Sequence, residues 1–221
     1  MSYPAENEAA RGSGKSSVRE YTEAIVIAVL LALFIRAFVV QAFKIPSGSM
    51  KTTLLIGDHI LVSKFIYGIK LPIVEKELIH FSDPKRQDIV VFRYPQDPSK
   101  DFIKRVIGLP GDTVRIENKK VYVNDQLLDE PYASHVDSRI LPAGASPRDN
   151  MAPLVVPPHS LFVMGDNRDE SYDSRFWKFV DMEELKGKAF IIYWSWNQDG
   201  SMTLDPTQSF IRWNRLGMWL H

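Results

Sequence analysis

The sequence predicts a mainly β protein in which one transmembrane helix precedes the β domain. Two features lead to this prediction: a single long apolar segment near the N-terminus, and a later series of short apolar or alternating segments separated by turn residues. A length of 221 residues suits one domain with a smaller β-ribbon or Pro-rich subdomain. We expect a tail at 1–20, an anchor at 21–43 and a β domain at 44–221, with an insertion subdomain at about 113–160.

The apolar segment from Tyr21 to Val40 has the length that a helix needs to cross a bilayer, about 20 residues. A cleavable signal peptide and a buried core helix are the alternatives, although no clear Ala-x-Ala cleavage site follows. The preceding residues 1–20 are small, polar and charged, which predicts a disordered tail. That tail is expected on the cytoplasmic side because three basic residues lie just before the anchor: Arg11, Lys15 and Arg19.

Strand-like segments occupy the rest of the chain. The hairpin prediction is the clearest, since Thr113–Glu117 and Val121–Asn124 flank a short polar turn. Pro110-Gly111 suits a type II turn, in which Gly supplies the positive φ. Six prolines between 131 and 160 predict an excursion with little regular structure. Further strands are expected at Asp88–Tyr94, Phe102–Ile107, Leu161–Met164 and Phe190–Trp194.

Charge and composition exclude some function classes. Lys and Arg number 27, and Asp and Glu also number 27, so the formal net charge is zero. This balance argues against a nucleic-acid partner, which normally meets a basic surface. The chain has no cysteine, which rules out disulfides, thiolate metal sites and a cysteine nucleophile.

A serine-rich segment, Pro46-Ser47-Gly48-Ser49-Met50, follows the anchor almost at once. Pro46 biases the preceding residue toward an extended backbone. If the segment stays extended, the hydroxyls of Ser47 and Ser49 point to one side. One hydroxyl could then attack a carbonyl while the other stabilises the oxyanion, although a loop is the commoner role of such a segment.

Lys104 lies within a predicted strand, so Phe102 and Val106 share its face. Burial between these apolar side chains disfavours the ammonium form and lowers the pKa, which is how a lysine becomes a base near neutral pH. The alternative is an edge-strand lysine that protects against aggregation. A third segment, 165–175, combines four acidic residues with two arginines and could form a hydrogen-bonded shell around a site.

In their order along the chain, these segments resemble type I signal peptidases, a family of Ser/Lys endopeptidases with an all-β catalytic domain. The resemblance extends from about Tyr21 to the C-terminus. Its motifs are PSGSM at 46–50, GDHILVSKF at 57–65, DIVVFRYP at 88–95, FIKRVIGLPGD at 102–112 and GDNRDESYDSR at 165–175. The resemblance implies cleavage of signal peptides from exported preproteins, after small-x-small residues, at the outer face of the bacterial cytoplasmic membrane. It implies a lipid bilayer as partner and no metal or cofactor.

The resemblance also implies a role for each matching residue. Ser49 corresponds to the nucleophile, Lys104 to the general base, and Ser47 with the Ser49 N–H to the oxyanion hole. Ser171 corresponds to a hydroxyl that orients the lysine, while Asp173 and Arg175 correspond to a supporting ion pair, with Asp166 also in a supporting role. An apolar wall for small substrate side chains corresponds to Phe43, Ile45, Met50, Phe102 and Ile103. Thr52 departs from the family pattern, which usually has Pro there, and so predicts a less rigid turn after Ser49.

Other Ser-based enzymes fit the sequence less well. The five histidines stand in unrelated contexts, and no Gly-x-Ser-x-Gly motif accompanies them. Ser82-Asp83-Pro84-Lys85 has the Ser-x-x-Lys spacing of penicillin-binding enzymes, but Pro84 opposes the required helix. A self-cleaving protease of the same fold and a membrane-tethered β module without peptidase activity remain the alternatives.

Overall fold

The computed structural model describes residues 17–70, 77–197 and 210–220. The protein is mainly β, as predicted, and the strands follow one N-terminal helix. Helix α1 spans Ser17–Phe34, a π-helical turn follows at Ile35–Val39, and the short helix α2 spans Ser174–Trp177. Three single-turn 3₁₀ helices lie at Arg168–Glu170, Met182–Glu184 and Trp213–Arg215. The strands are β1 Val40–Lys44, β2 Asp58–Ser63, β3 Gly68–Lys70, β4 Glu77–His80, β5 Ile89–Tyr94, β6 Asp97–Gly108, β7 Thr113–Glu117, β8 Lys120–Val123, β9 Gln126–Leu127, β10 Met151–Val155, β11 Ser160–Met164, β12 Val180–Asp181, β13 Leu185–Ser195 and β14 Met218–Trp219.

The helical segment differs from the predicted anchor at both ends. Helix α1 begins at Ser17, inside the predicted tail, and the rest of that tail (1–16) lies outside the described residues. The last part of the predicted anchor is strand β1, which pairs antiparallel with β2 in the register Val40↔Ser63 to Lys44↔His59. Among the helices that the structure describes, none is both long and apolar enough to cross a membrane.

The main sheet has eight strands in the order β1-β2-β13-β5-β6-β11-β12, with β14 paired to β13. Its central strand β5 is buried on both faces: Ile89 and Val91 belong to one core cluster, and Val90 and Phe92 to another. A central strand that is covered on both faces has a continuous apolar sequence, which is why DIVVFRY is recognisable as a strand.

A second sheet has four strands in the order β10-β7-β8-β9, and it lies within the stretch predicted as an insertion. The predicted hairpin is confirmed, with Val114 opposite Val123 and Glu117 opposite Lys120. Strand β10 corrects the expectation that the Pro-rich excursion has little regular structure. Its register shifts between Met151 and Leu154, where Pro153 has no N–H to donate to the ladder.

Candidate active site

The segment 46–50 follows β1 and turns sharply, so it does not stay extended. The chain bends at Ser47 and Gly48 and enters a turn at Ser49, which the Lys51 N–H closes by donating to Gly48 O at 3.0 Å. Met50 and Leu54 are completely buried in the core below the turn. Burial of these two side chains favours the turn over the extended path, so the strand alternation expected for Ser47 and Ser49 does not apply. Ser47 is exposed and Ser49 is half-buried.

Lys104 meets Ser49 across this turn. It lies on β6 opposite Val90 of β5, and its Nζ donates to Ser49 Oγ at 2.7 Å and to Ile103 O at 3.0 Å. The Phe102 ring centroid is 5.3 Å from Nζ, and Val106 belongs to the same core cluster that Phe102 packs against. The predicted apolar face is thus confirmed. With 4% of the residue exposed, burial lowers the pKa of Lys104 to about 8.

Two nearby carboxylates oppose this shift, and each of them has its own guanidinium. Asp173 pairs with Arg175 at 2.8 Å, and Asp166 pairs with Arg105 at 2.8 Å. The two acidic side chains raise the pKa of Lys104 and Arg175 lowers it, but burial remains the largest influence. Because their charge is shared with the arginines, the carboxylates do not restore the ordinary lysine pKa.

Asp173 also shapes the loop that it belongs to. Its carboxylate accepts from the Gly165 N–H at 3.0 Å and from the Arg175 N–H at 3.2 Å, where it caps α2. Burial alone would raise the pKa of Asp173, but Arg175 and these donors hold it below its usual range. The predicted ion pair between Asp173 and Arg175 is therefore present and buried.

Asp166 links the turn at Ser49 to β6. It accepts from Nε and Nη2 of Arg105 and from Thr53 Oγ1 at 2.5 Å. The ring of Tyr132 lies against the guanidinium of Arg105, with 3.9 Å between its centroid and Cζ. Sequence reasoning missed Thr53 and Arg105. Arg105 carried one signal, because it follows Lys104 directly and must point to the opposite side of the strand.

Ser171 is not among the hydrogen-bond partners of Lys104, whose Nζ donates to Ser49 and to the Ile103 carbonyl. The Ser171 hydroxyl is buried and has no hydrogen-bond partner among the described residues, and its role in orienting the lysine stays a prediction. Gly165 separates Ser171 from Ser49: a Cβ at this position would lie 2.2 Å from Ser171 Oγ and 2.4 Å from Ser49 O. Only glycine fits in this gap, which is the physical reason for the Gly at the start of the 165–175 motif.

The five residues predicted as an apolar wall divide between two cores. Ile45 and Met50 are buried in the first cluster, and Phe43 and Ile103 pack against that cluster while half-buried. Phe102 instead packs against the second cluster, where its ring stacks on Tyr94 with 4.4 Å between centroids. Ile45 and Met50 thus lie beneath the surface and Phe102 packs on the second core, and the role of these five residues as a wall for small substrate side chains stays a prediction.

Thr52 has φ +82°, a left-handed conformation that β-branched residues rarely adopt. Its Oγ1 donates to Tyr132 O at 2.9 Å, which fixes the turn from outside. Proline could not adopt this φ, since its ring holds φ near −65°. Thr52 thus stands in a turn conformation that proline cannot adopt and that a hydrogen bond holds.

Comparison with known proteins finds similar sequences that all belong to one family. The family described as "Signal peptidase, peptidase S26" matches residues 18–194. A "Signal peptidase I" of Pseudomonas aeruginosa is 39% identical over 208 residues, covering 80% of this chain and 72% of that protein. A "Probable signal peptidase I-2" of Synechocystis is 41% identical over 198 residues, covering 87% and 80%. A crystal structure of a signal peptidase I from Enterococcus faecalis matches 48% of this chain and 97% of that one at 31% identity, with a TM-score of 0.39.

Proposed function

The chain belongs to the signal peptidase family, peptidase S26, and from this premise we propose that Ser49 and Lys104 are its nucleophile and general base. The protein is a serine endopeptidase that cleaves signal peptides from preproteins. One observation carries the assignment of the dyad: Lys104 Nζ lies 2.7 Å from Ser49 Oγ while the lysine is buried and its pKa is lowered to about 8. A serine needs an adjacent base within hydrogen-bond reach, and a lysine can serve only while it is neutral.

The reaction follows from this pair. Ser49 Oγ attacks the scissile carbonyl carbon, and its proton passes to the neutral Nζ of Lys104. The tetrahedral oxyanion accepts hydrogen bonds from the Ser49 N–H and the Ser47 hydroxyl. Lys104 then gives its proton to the departing amine, which leaves an ester on Ser49. A water molecule deprotonated by Lys104 hydrolyses this ester and restores both residues.

The apolar surface beside the dyad supports a preference for small residues at the first and third positions before the cut. Phe43 and Ile103 are half-buried and rest on a filled core that contains Ile45 and Met50. A side chain that enters here meets the close-packed atoms of this core. Large substrate side chains would therefore require core displacement, which close packing opposes.

We further place the protein at the bacterial cytoplasmic membrane, with the domain from Lys44 onward on the outer side. The support is helix α1, whose apolar side chains are 50–64% exposed at Ile25, Val26, Ile27, Val29, Leu30, Leu31, Leu33 and Phe34. Exposure of such a contiguous apolar surface to water is unfavourable, and a surface of this kind is normally covered by lipid or protein. Protease added to intact spheroplasts should digest the domain, and complete protection until lysis would overturn this placement.

The test of the dyad compares Ser49→Ala and Lys104→Arg with the wild-type chain on a peptide that has Ala at both small positions. Both variants should lose cleavage, because Ala has no nucleophile and a guanidinium stays protonated. Lys120→Arg is the matched control, since Lys120 is an exposed strand lysine and should keep full activity. Wild-type cleavage by Ser49→Ala would refute the dyad and favour a tethered β module or another nucleophile.

A further inference from the structure

The peptide unit between Gly48 and Ser49 is held from its carbonyl side. Gly48 O accepts from the Lys51 N–H at 3.0 Å and from Asn167 Nδ2 at 3.2 Å. The Ser49 N–H belongs to the same planar unit, so the direction of the carbonyl sets the direction of the N–H. The proposed function assigns this N–H to the oxyanion hole. A group that binds Gly48 O therefore controls where one oxyanion donor points.

Asn167 also contacts the peptide unit that follows Ser49. Its backbone N–H donates to Ser49 O at 3.1 Å, so one residue contacts the peptide units before and after the Ser49 Cα. Asn167 is completely buried and begins the 3₁₀ turn at Arg168–Glu170. Both contacts are made to the carbonyls on either side of the Ser49 N–H, so Asn167 fixes the two peptide units that meet at Ser49.

Glu170 fixes the orientation of the Asn167 amide. Its Oε2 accepts from Asn167 Nδ2 at 2.9 Å, so Nδ2 faces two acceptors, Gly48 O and this carboxylate. A reversed amide would set its oxygen against both. The amide oxygen Oδ1 is buried and has no hydrogen-bond partner among the described residues. The orientation of the amide is therefore set by the two bonds that Nδ2 donates, and not by its oxygen.

We propose that Asn167 is a positioning residue that aims the Ser49 N–H into the oxyanion hole, and that Glu170 is the residue that keeps the Asn167 amide donating. This proposal rests on the proposed function. Two donors on Gly48 O also polarise the peptide unit and strengthen its N–H as a donor. Because the negative charge develops only in the transition state, the contribution falls on kcat and leaves KM nearly unchanged.

The first experiment replaces Asn167 in the full chain. Asn167→Ala should lower kcat by roughly 10–100-fold with KM within about twofold, less than the loss expected for a direct oxyanion donor. Asn167→Asp is nearly isosteric but sets an acceptor against Gly48 O and Glu170, so it should lose at least as much. A peptide aldehyde that ends in Ala at both small positions should lose affinity in parallel, since its adduct places an oxygen in the hole. The matching peptide alcohol, which forms no adduct, should bind as before.

A second pair of variants covers the case that Asn167 substitutions do not fold. Glu170 is exposed, and Glu170→Gln keeps an acceptor, so kcat should stay within about threefold of the wild type. Glu170→Lys offers a donor, which favours the reversed amide, and should lower kcat as Asn167→Ala does. Asp129→Lys introduces the same charge change at another exposed acid and should behave as wild type.

The outcomes separate this proposal from the dyad. If Ser49→Ala is inactive while Glu170→Lys and Glu170→Gln have equal kcat and equal aldehyde affinity, the positioning role is wrong and the dyad stands. If Ser49→Ala cleaves, the dyad itself is wrong. Parallel loss of aldehyde affinity and kcat in Glu170→Lys, with unchanged affinity for the alcohol, supports the positioning role.

Discussion

Replacing Lys104 with methionine should stabilise the folded protein at neutral pH. Burial lowers the pKa of Lys104 from 10.5 to about 8, which means that the buried ammonium costs about 3 kcal/mol of folding free energy. Methionine has a similar shape and no charge to desolvate. It also gives up the hydrogen bonds to Ser49 Oγ and Ile103 O, so the net gain at pH 7 should be about 2 kcal/mol.

The pH dependence of this gain has a definite sign. Below pH 8 both the folded and the unfolded chain carry the lysine proton, so the wild type bears the full cost. Between about pH 8 and 10.5 the folded wild type loses the proton while the unfolded chain keeps it, and wild-type stability rises. The advantage of Lys104→Met should therefore shrink across this range and disappear above it.

Urea unfolding at pH 6, 7, 8.5 and 10.5 measures this difference, with Lys120→Met as an exposed control that should show no comparable pH dependence. A Lys104→Met protein less stable than the wild type at pH 7 would refute the reasoning. So would a stability difference that does not change with pH, because it would show that the lysine is not buried as an ammonium.

Three further perturbations test other parts of the site. Thr52→Gly should change the free energy of unfolding by less than about 1 kcal/mol, since relief of the strain at φ +82° offsets loss of the hydrogen bond to Tyr132 O, whereas Thr52→Pro should destabilise the protein by about 3 kcal/mol or more. Equal stability of the two variants would contradict the positive φ. Arg215→Met removes the guanidinium that contacts the buried Asp58 at 2.7 Å and leaves only Arg212, at 3.8 Å, as its charged partner among the described residues, so it should cost about 3 kcal/mol in urea unfolding, against at most about 1 kcal/mol for the exposed Arg139→Met. Similar costs for both would show that the Asp58 pair is not buried. Ser47→Ala should lower kcat by about 10²–10³-fold with little change in KM, and an unchanged kcat would remove Ser47 from the oxyanion hole.

The strands were predictable where burial leaves a local pattern. DIVVFRY fills a central strand that is covered on both faces, and the hairpin at 113–123 alternates around a polar turn. The strand face that buries Lys104 follows from period-two geometry alone, so Phe102 and Val106 could be named as its neighbours. These features depend on residues that are close in sequence.

Other elements depend on contacts between residues far apart in the sequence, so the local sequence pattern does not predict them. Strand β1 continues an apolar segment, and only its pairing with β2 separates it from the helix before it. The turn at Ser49 is favoured by burial of Met50 and Leu54, which outweighs the extended bias of Pro46. Strand β10 carries a proline that is tolerated at an irregular step of its ladder.

Within the site, the residues with direct chemistry were easier to predict than those that support them. Ser49 and Lys104 are 55 positions apart, yet each stands in a distinctive segment. Asp166 could be named as supporting, but its partner Arg105 lies 61 positions away, and the strand position of Arg105 predicts its side of the strand without predicting its partner. Asn167 is one polar residue among many in its loop, and only the folded chain brings it to Gly48.

The pH dependence of kcat/KM between pH 6 and 10 tests the dyad most directly, because it reports the pKa of the essential base in the free enzyme. With Lys104 as that base, kcat/KM should rise about tenfold per pH unit below its pKa of about 8 and level off above it. A profile that is flat across this range, or one with its midpoint near 6.5 as for a histidine base, would contradict Lys104 as the base.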